Sequence, residues 1–333
     1  MLSKKIGIDL GTSTMIVYVK GEGVVVNEPA LIATDEKGGR ILAIGRAASA
    51  LLRKNGKVRA VRPVRNGNGV DYGVAGALVQ HLIGRIVGRQ RIFRPDVMLS
   101  VPPLVTGVER RAVLEATMQA GAKTAYLIDK PMAAAIGARV SVSTTDGILV
   151  VNLGAGSTDI AAIAQGEILV LETLRLGGDA LDAAIERAVS AARGMPLAAG
   201  EGERLKREIG SAMRPAGDRS TRATLVAADG QPAATEVSAA EVHSAMEHLI
   251  EEIAAAVIRV LGQVPPERRT AVKRNGLILT GGGAQLRGLV EYLGSSTRIP
   301  ARVAREPEAC VAMGTGMALD NLQVIRRGQH YIT

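Results

Sequence analysis

Runs of β-branched and aliphatic residues recur along this chain, and several are cut off abruptly by glycine and a hydroxyl residue. Lys5-Ile-Gly-Ile8 runs into Asp9-Leu-Gly-Thr12, and Gly147-Ile-Leu-Val-Val151 runs into Asn152-Leu-Gly-Ala-Gly-Ser-Thr-Asp159. Gly276-Leu-Ile-Leu279 likewise runs into Thr280-Gly-Gly-Gly-Ala284. An unbroken apolar run ending in Gly and Ser/Thr predicts a buried strand that feeds a tight turn. Glycine lets the backbone approach a ligand, and turn amides with hydroxyls can hold phosphate oxygens. Turns of this kind, spread along one globular chain, predict two similar lobes closing on a nucleotide.

The same patterning places the other elements. Paired strands are expected over 5–9 and 15–19, continued at 24–26 and 31–33. A Gly-, Arg- and Asn-rich stretch from about 54 to 68 reads as loop. Val74, Leu78, Leu82 and Val87 have helical spacing and predict a helix over 72–87, followed by a strand over 97–101 closed by Pro102-Pro103. Thr106 with Glu109 three residues on is a capping-box pattern, so a helix over 106–120 ending at Gly121 is expected. A short helix follows over 131–138. Beyond the second turn, strands are expected over 160–163 and 168–171, then helices over 181–192 and 203–213. Residues 220–237 read as a small strand-rich insertion, and 239–264 as one long helix stopped by Pro265-Pro266. Gly314-Thr-Gly-Met-Ala318 is expected to open a last helix. Strand–turn–strand followed by helices therefore occurs twice.

Composition narrows the class. At 333 residues the chain can hold two ordinary domains, and 47% hydrophobic with 22% charged residues suits globular cores. No apolar stretch is long enough to span a bilayer, and Met1-Leu-Ser-Lys-Lys5 leads straight into the first strand, so no signal peptide is expected. The single cysteine, Cys310, excludes an internal disulfide and fits a reducing cytoplasm; its Ala-Cys-Val-Ala setting predicts a buried thiol. A net charge of +9, with arginines gathered between Arg85 and Arg94, invites an anionic partner or reads as solvated surface. Nucleic acid is not expected: there is no Trp, one Phe, and no zinc-ligand spacing.

With those motifs placed, the chain resembles the MreB family of bacterial actin-like filament proteins over nearly its whole length. The matching strings are Gly7-Ile-Asp-Leu-Gly-Thr12, Val17-Tyr-Val-Lys20, Asn27-Glu-Pro29, Val61-Arg-Pro63 and Glu109-Arg-Arg-Ala-Val113. They continue with Gln119-Ala-Gly-Ala122, Pro131 to Ala138, Ile209-Gly-Ser211, Leu279 to Ala284 and Gly314-Thr-Gly316. The resemblance implies an α/β, actin-like ATPase fold of two RNase H-like lobes with a nucleotide cleft between them, each lobe carrying a smaller subdomain. On this chain the first lobe is expected over 1–145 with a small insertion at about 30–69. The second is expected over 146–318 with an insertion at about 181–245, and a C-terminal helix over 319–333 returns to the first.

The resemblance also implies site residues. ATP with Mg2+ is the expected cofactor. Gly11, Thr12, Ser13 and Thr14 would form the first phosphate loop, and Gly154, Ala155, Gly156 and Ser157 the second. Glu203 and Lys206, one helical turn apart, would face the adenosine, with Gly282, Gly283, Ala284 and Gln285 approaching from the other side. Asp9 would face the cation through water, because magnesium keeps part of its hydration shell, and Asn152 would be a second contact.

Departures from the family pattern carry their own expectations. Asn152 stands where the family has Asp, and Asp129-Lys130-Pro131 stands where it has Glu-Glu-Pro. Thr14 replaces an Asn, Ala155 a Gly and Asp159 a Glu, while Thr158 is retained. The second Glu of the family pair helps position the attacking water; a protonated lysine there cannot accept a proton and acts as a point charge toward phosphate. Loss of such a carboxylate commonly costs ~10²–10⁴ in rate. A nucleotide site that binds but hydrolyses poorly is expected, with Asp129 and Thr158 the remaining candidates for chemistry. Asp129 could swing in to replace the missing group, or Lys130 could be a solvent-facing change in a relaxed site.

Ile92-Phe93, flanked by Arg89, Arg91 and Arg94, suits insertion of an apolar tip among anionic headgroups, as in the hydrophobic loop of some family members; the alternative is that Phe93 caps the first lobe's core. The helix over 106–120 is expected to expose Glu109, Arg110 and Glu115 and resembles the family's lateral filament contact. Self-association into filaments follows from the resemblance, possibly with a paralogue, at the inner face of the cell membrane and alongside the cell-wall elongation machinery. A non-polymerising nucleotide-binding adaptor and a small-molecule kinase of the same fold are the alternatives.

Overall fold

The structure, a computed structural model, describes residues 3–38, 40–54, 58–63, 72–88, 94–217, 219–320, 322 and 331–332. Arg89, Arg91, Ile92 and Phe93, the core of the membrane-tip expectation, lie outside the described residues. The chain divides into two units, one formed by 1–145, 163–168 and 308–333, the other by 146–162 and 169–307.

The first unit begins with strands β1 (Lys5–Leu10), β2 (Thr14–Val19) and β3 (Gly23–Pro29), which form an antiparallel meander. A small antiparallel sheet follows from β4 (Ile32–Thr34), β5 (Ile41–Ile44) and β6 (Arg59–Val61), backed by α1 (Arg46–Lys54). Strand β6 therefore falls within the stretch read as loop. It is three residues long and none of them is buried, so no periodic apolar signal announces it. Next come α2 (Tyr72–Val87), β7 (Asp96–Val101), α3 (Gly107–Gln119), β8 (Thr124–Asp129) and α4 (Lys130–Gly137). Helical crossovers let β7 and β8 lie parallel to their neighbours, so β1, β7 and β8 extend the meander on its far side. Helix α3 starts as the sequence requires: the Thr106 side chain accepts from the Glu109 amide, and the Glu109 carboxylate accepts from the Thr106 amide at 2.7 Å.

In the second unit β9 (Ile148–Leu153), β10 (Thr158–Ala164) and β11 (Glu167–Leu174) lead to helices α5 (Gly178–Arg193) and α6 (Glu201–Ile209). The hairpin of β12 (Ser220–Val226) and β13 (Pro232–Ser238) then feeds α7 (Ala239–Gln263). Val242, Met246, Ile250, Ile253, Val257 and Val260 form its buried stripe, the spacing of one helical face. Helix α8 (Pro266–Asn275), strand β14 (Leu277–Thr280), a 3-10 turn at Gly282–Gln285, α9 (Leu289–Thr297) and β15 (Ala301–Val303) complete the unit.

The two main sheets share one plan. Their strand orders are β3-β2-β1-β7-β8 and β11-β10-β9-β14-β15, so a meander joined to crossover strands occurs in each. Each unit has its own core: Ile6, Ile8, Leu78, Leu82, Leu99 and Leu127 in the first, Leu149, Val151, Ile185, Val257 and Leu279 in the second. After β15 the chain returns to the first unit through α10 (Cys310–Ala318) and β16 (Tyr331–Ile332), which pairs antiparallel with β8. Gly314 therefore lies inside the last long helix instead of opening it. Helix α10 crosses α4 at backbone contact: a Cβ on Gly314 would lie 1.8 Å from the Ala133 carbonyl oxygen, and one on Gly137 1.8 Å from that of Cys310. The Cys310 thiol is buried, as its setting predicts.

Candidate functional site: two glycine turns

The first turn links β1 to β2. The Gly11 amide donates to the Thr14 carbonyl at 2.8 Å, and a Cβ on Gly11 would come within 2.9 Å of that oxygen, so glycine is what lets the turn close. Arg62 donates to the Thr12 carbonyl at 3.0 Å, and the Ser13 carbonyl accepts the Ala30 amide at 2.9 Å. With their carbonyls occupied, Thr12 and Ser13 keep amides that no acceptor takes among the described residues. Unpaired turn amides of this kind suit an anion.

The second turn, between β9 and β10, closes in the same way, with the Gly154 amide donating to the Ser157 carbonyl at 2.8 Å. The start of α5 folds onto it: Gly178 and Asp179 donate their amides to the Gly154 and Ala155 carbonyls, both at 2.9 Å. Gly177 lies against the same segment so closely that a Cβ would sit 2.4 Å from the Ala155 oxygen. Again the amides of Ala155 and Gly156 have no acceptor among the described residues. The third glycine run is governed by packing. A Cβ on Gly281 would meet the Leu153 carbonyl oxygen at 2.2 Å and one on Gly283 the Leu153 Cβ at 2.9 Å, while Ala284 is buried in the second core beside the 3-10 turn that also holds Gly282 and Gln285.

Charge is distributed unevenly around the turns. Asp9, at the end of β1, is largely buried, and its Oδ1 accepts the Ser100 hydroxyl at 2.5 Å and faces the Lys130 ammonium at 3.1 Å. Lys130 also donates to the Leu10 carbonyl at 3.2 Å. Both partners of this ion pair are sheltered, with side-chain exposures of 14% for Lys130 and 12% for Asp9, so it lies in a setting where losing one partner is costly. Lys130 thus points into the first turn and not to solvent. Its neighbour Asp129, before α4, is held by the Arg110 guanidinium from α3. That is a correction to the expected surface of α3: Arg110 turns inward, and the exposed positions include Val108, Arg111, Glu115 and Gln119.

In the second unit the position equivalent to Asp9 is Asn152, whose Oδ1 accepts the Thr280 hydroxyl at 3.2 Å. Thr158 is fully buried and donates its hydroxyl to the Leu176 carbonyl at 2.6 Å; Asp159 accepts from Thr173 at 2.8 Å. Lys206 on α6 donates to the Gly178 carbonyl at 2.9 Å and pairs with Asp182 at 2.7 Å, tying α6 to the start of α5. Burial pushes the Asp182 carboxyl above its usual range, against the pull of the Lys206 ammonium. Glu203, the other adenosine candidate, forms an exposed pair with Arg207 at 2.8 Å.

Sequence reasoning brought out Asp9, Lys130 and the turn glycines but missed Ser100, Arg62, Arg110, Asp182 and Thr280. Ser100 left a trace, being a hydroxyl inside the otherwise apolar run Val97 to Val101. Arg62 lies in a string that matched the family, with no role attached.

The comparisons agree with this architecture. The family model described as MreB/Mbl protein matches residues 3–327. The cell shape-determining protein MreB of Escherichia coli (strain K12) is 37% identical over 334 residues, covering 97% of this chain and 95% of that protein. MreB5 of Spiroplasma citri, in a crystal structure bound to ADP, superposes with a TM-score of 0.89 at 29% identity, covering 98% of this chain and 99% of the other; the same protein bound to AMPPNP gives 0.89. MamK, as a double helical filament, shares the fold with a TM-score of 0.79 at 19% identity, over 95% of this chain and 98% of that one.

Proposed function

The chain belongs to the MreB/Mbl family and has its actin-like α/β fold, and on that footing we propose that it is a nucleotide-binding filament subunit acting in cell shape, with little or no ATP hydrolysis. Its two units are the proposed lobes, with ATP between them, and the twin turns are the proposed phosphate loops. Support for the ligand comes from the unspent amides of Thr12, Ser13, Ala155 and Gly156, and from the ADP and AMPPNP held by the MreB5 relative. MamK, a filament in its own structure, supports assembly. Among the described residues no helix is long and apolar enough to cross a membrane. The proposed membrane contact is the Ile92-Phe93 tip with its arginines, read from the sequence alone.

One observation carries the hydrolysis part of the reading: Lys130 stands where a water-positioning carboxylate is expected and is bound to Asp9. Asp129 cannot take over without leaving Arg110, and the Thr158 hydroxyl is spent on Leu176. The carboxylates of Asp9 and Asp129 are thus each engaged by a cation, which weakens both as bases for an attacking water. Copolymerisation with an active relative would give such a subunit a static role in mixed filaments.

Phosphate release from the purified chain with Mg-ATP, beside Lys130→Glu, tests the proposal, with sedimentation in the presence of nucleotide and anionic vesicles run in parallel. The wild type is expected to pellet with nucleotide and release phosphate slowly, and the variant to gain at least about tenfold in turnover. Ordinary turnover by the wild type would show that Lys130 does not disable the site.

A further inference from the structure

The family resemblance implies a magnesium ion facing Asp9, and the side chains here do not fit it. Magnesium asks for near-octahedral oxygen ligands, usually one or two carboxylates together with substrate phosphates. Asp9 Oδ1 already accepts a hydroxyl from Ser100 at 2.5 Å and meets the Lys130 ammonium at 3.1 Å, so its carboxylate charge is already paired. A dication brought up to this carboxylate would have to displace Lys130 or lie beside it, against like charge. On the other unit, the corresponding residue is the uncharged Asn152, already hydrogen-bonded by Thr280. Among the described residues no group of three or more His, Cys, Asp or Glu side chains could hold a metal ion.

What the first turn offers instead is a cation of its own. A lysine ammonium has three N–H donors. In this structure one is directed to the Leu10 carbonyl and one to Asp9, and both anchors lie on the strand end that opens the turn. The remaining donor has no partner among the described residues. Lys130 is the first residue of α4, which packs at backbone contact against α10. The result is a positive charge anchored at the strand end that leads into the turn, whose Thr12 and Ser13 amides have no acceptor among the described residues.

We infer that the Lys130 ammonium takes the place of the divalent cation, so that this chain binds the polyphosphate of a nucleoside triphosphate in its metal-free form. The inference rests on the nucleotide reading above and deepens it: an ammonium screens phosphate charge as a point charge and donates to an oxygen. It differs from a magnesium ion in staying with the protein when the nucleotide leaves. Affinity should therefore be insensitive to chelators and should fall with added salt.

The test is calorimetric titration of AMPPNP into the full chain, once with excess magnesium and once with excess EDTA. Wild-type affinities in the two buffers are expected to agree within about fivefold, and Lys130→Met should lose about tenfold or more of the EDTA affinity, the worth of a charge-assisted hydrogen bond. Should Lys130→Met fail to melt cooperatively, Lys130→Gln, which keeps a donor but not the charge, replaces it with the same expectation. A wild type that binds with magnesium and loses more than about fivefold in EDTA overturns the inference and leaves the nucleotide reading standing. Undiminished EDTA affinity in the charge-removing variant also overturns it. A wild type that binds AMPPNP in neither buffer overturns the nucleotide reading itself, and the inference with it.

Discussion

The two glycine turns are built alike and charged differently. Each is closed by the same hydrogen bond at the same length, from the first glycine amide to the carbonyl three residues on, and each has a lysine that grips one carboxylate and one backbone carbonyl. In the first turn the carboxylate is Asp9, part of the turn itself, and the ammonium arrives from α4. In the second, Lys206 and Asp182 belong to α6 and α5, one step behind the turn, and the turn position is held by Asn152. The backbone geometry occurs twice, whereas charge enters the turn only once. The comparison teaches that unpaired turn amides and a charged side chain are separable features of this architecture.

Three substitutions or titrations would break or sharpen that contrast. The largest effect is expected from Gly177→Ala, whose new Cβ would meet backbone oxygens at 2.4 and 2.6 Å. A loss of about 3 kcal/mol in denaturant unfolding is expected, against about 1 kcal/mol for Gly11→Ala, where the closest approach is 2.9 Å. Equal costs would mean that the second turn is no more tightly backed than the first. Next is Asn152→Asp, which gives the second turn the carboxylate of the first without an ammonium to meet it. Placing a carboxylate at a residue only 6% exposed should cost about 2 kcal/mol at neutral pH, read by thermal melting. A neutral outcome would show that this turn tolerates charge as well as its twin.

The smallest effect lies in the acid limb. Burial raises Asp182, so its ionised form weakens the fold, and that penalty is relieved as pH falls through its raised value toward the ordinary 3.8. Glu201 is lowered by its hydrogen bond to Arg204, against partial burial. Its contribution is therefore present above the ordinary 4.5 and is lost as pH falls through the lowered value. Carboxyl NMR titration should place Asp182 above its reference and Glu201 below, with effects on stability of opposite sign as pH falls. An Asp182 value below its reference would undo the picture of that carboxylate as buried beside Lys206, and a Glu201 value above its own would undo the Arg204 pairing.

Much of the fold was legible because local signals and global packing agreed. Helix α2 has the bounds its apolar spacing predicts, and the Thr106 and Glu109 pattern gave the start of α3 directly. Helix α8 left no such trace, since only Val272 of its ten residues is buried and charge dominates the rest. Site residues split along the same line. Lys130 was visible as a charge reversal, but its destination was not, because Leu10 and Asp9 lie some 120 residues away and only the parallel sheet brings α4 to the end of β1. Arg110 was read as surface because charged helix positions usually are; its partner Asp129 reaches it only through the β8–α4 corner. The glycines at 281 and 283 each lie against Leu153 in this structure, a neighbour that the run Thr280-Gly-Gly-Gly-Ala284 does not name.

The crossing of α4 with α10 has a bearing on the order in which the chain can fold during synthesis. Residues 146–307 emerge together and, apart from the hairpin tip at 163–168, hold their unit in one continuous stretch. The first unit is made earliest yet cannot be finished then. Gly7 of β1 packs where a Cβ would be 2.4 Å from the Gly316 amide, and Gly137 waits for Cys310. Until residues to about 318 have left the ribosome, the central strand that carries Asp9 has one face uncovered, and the half made first closes last.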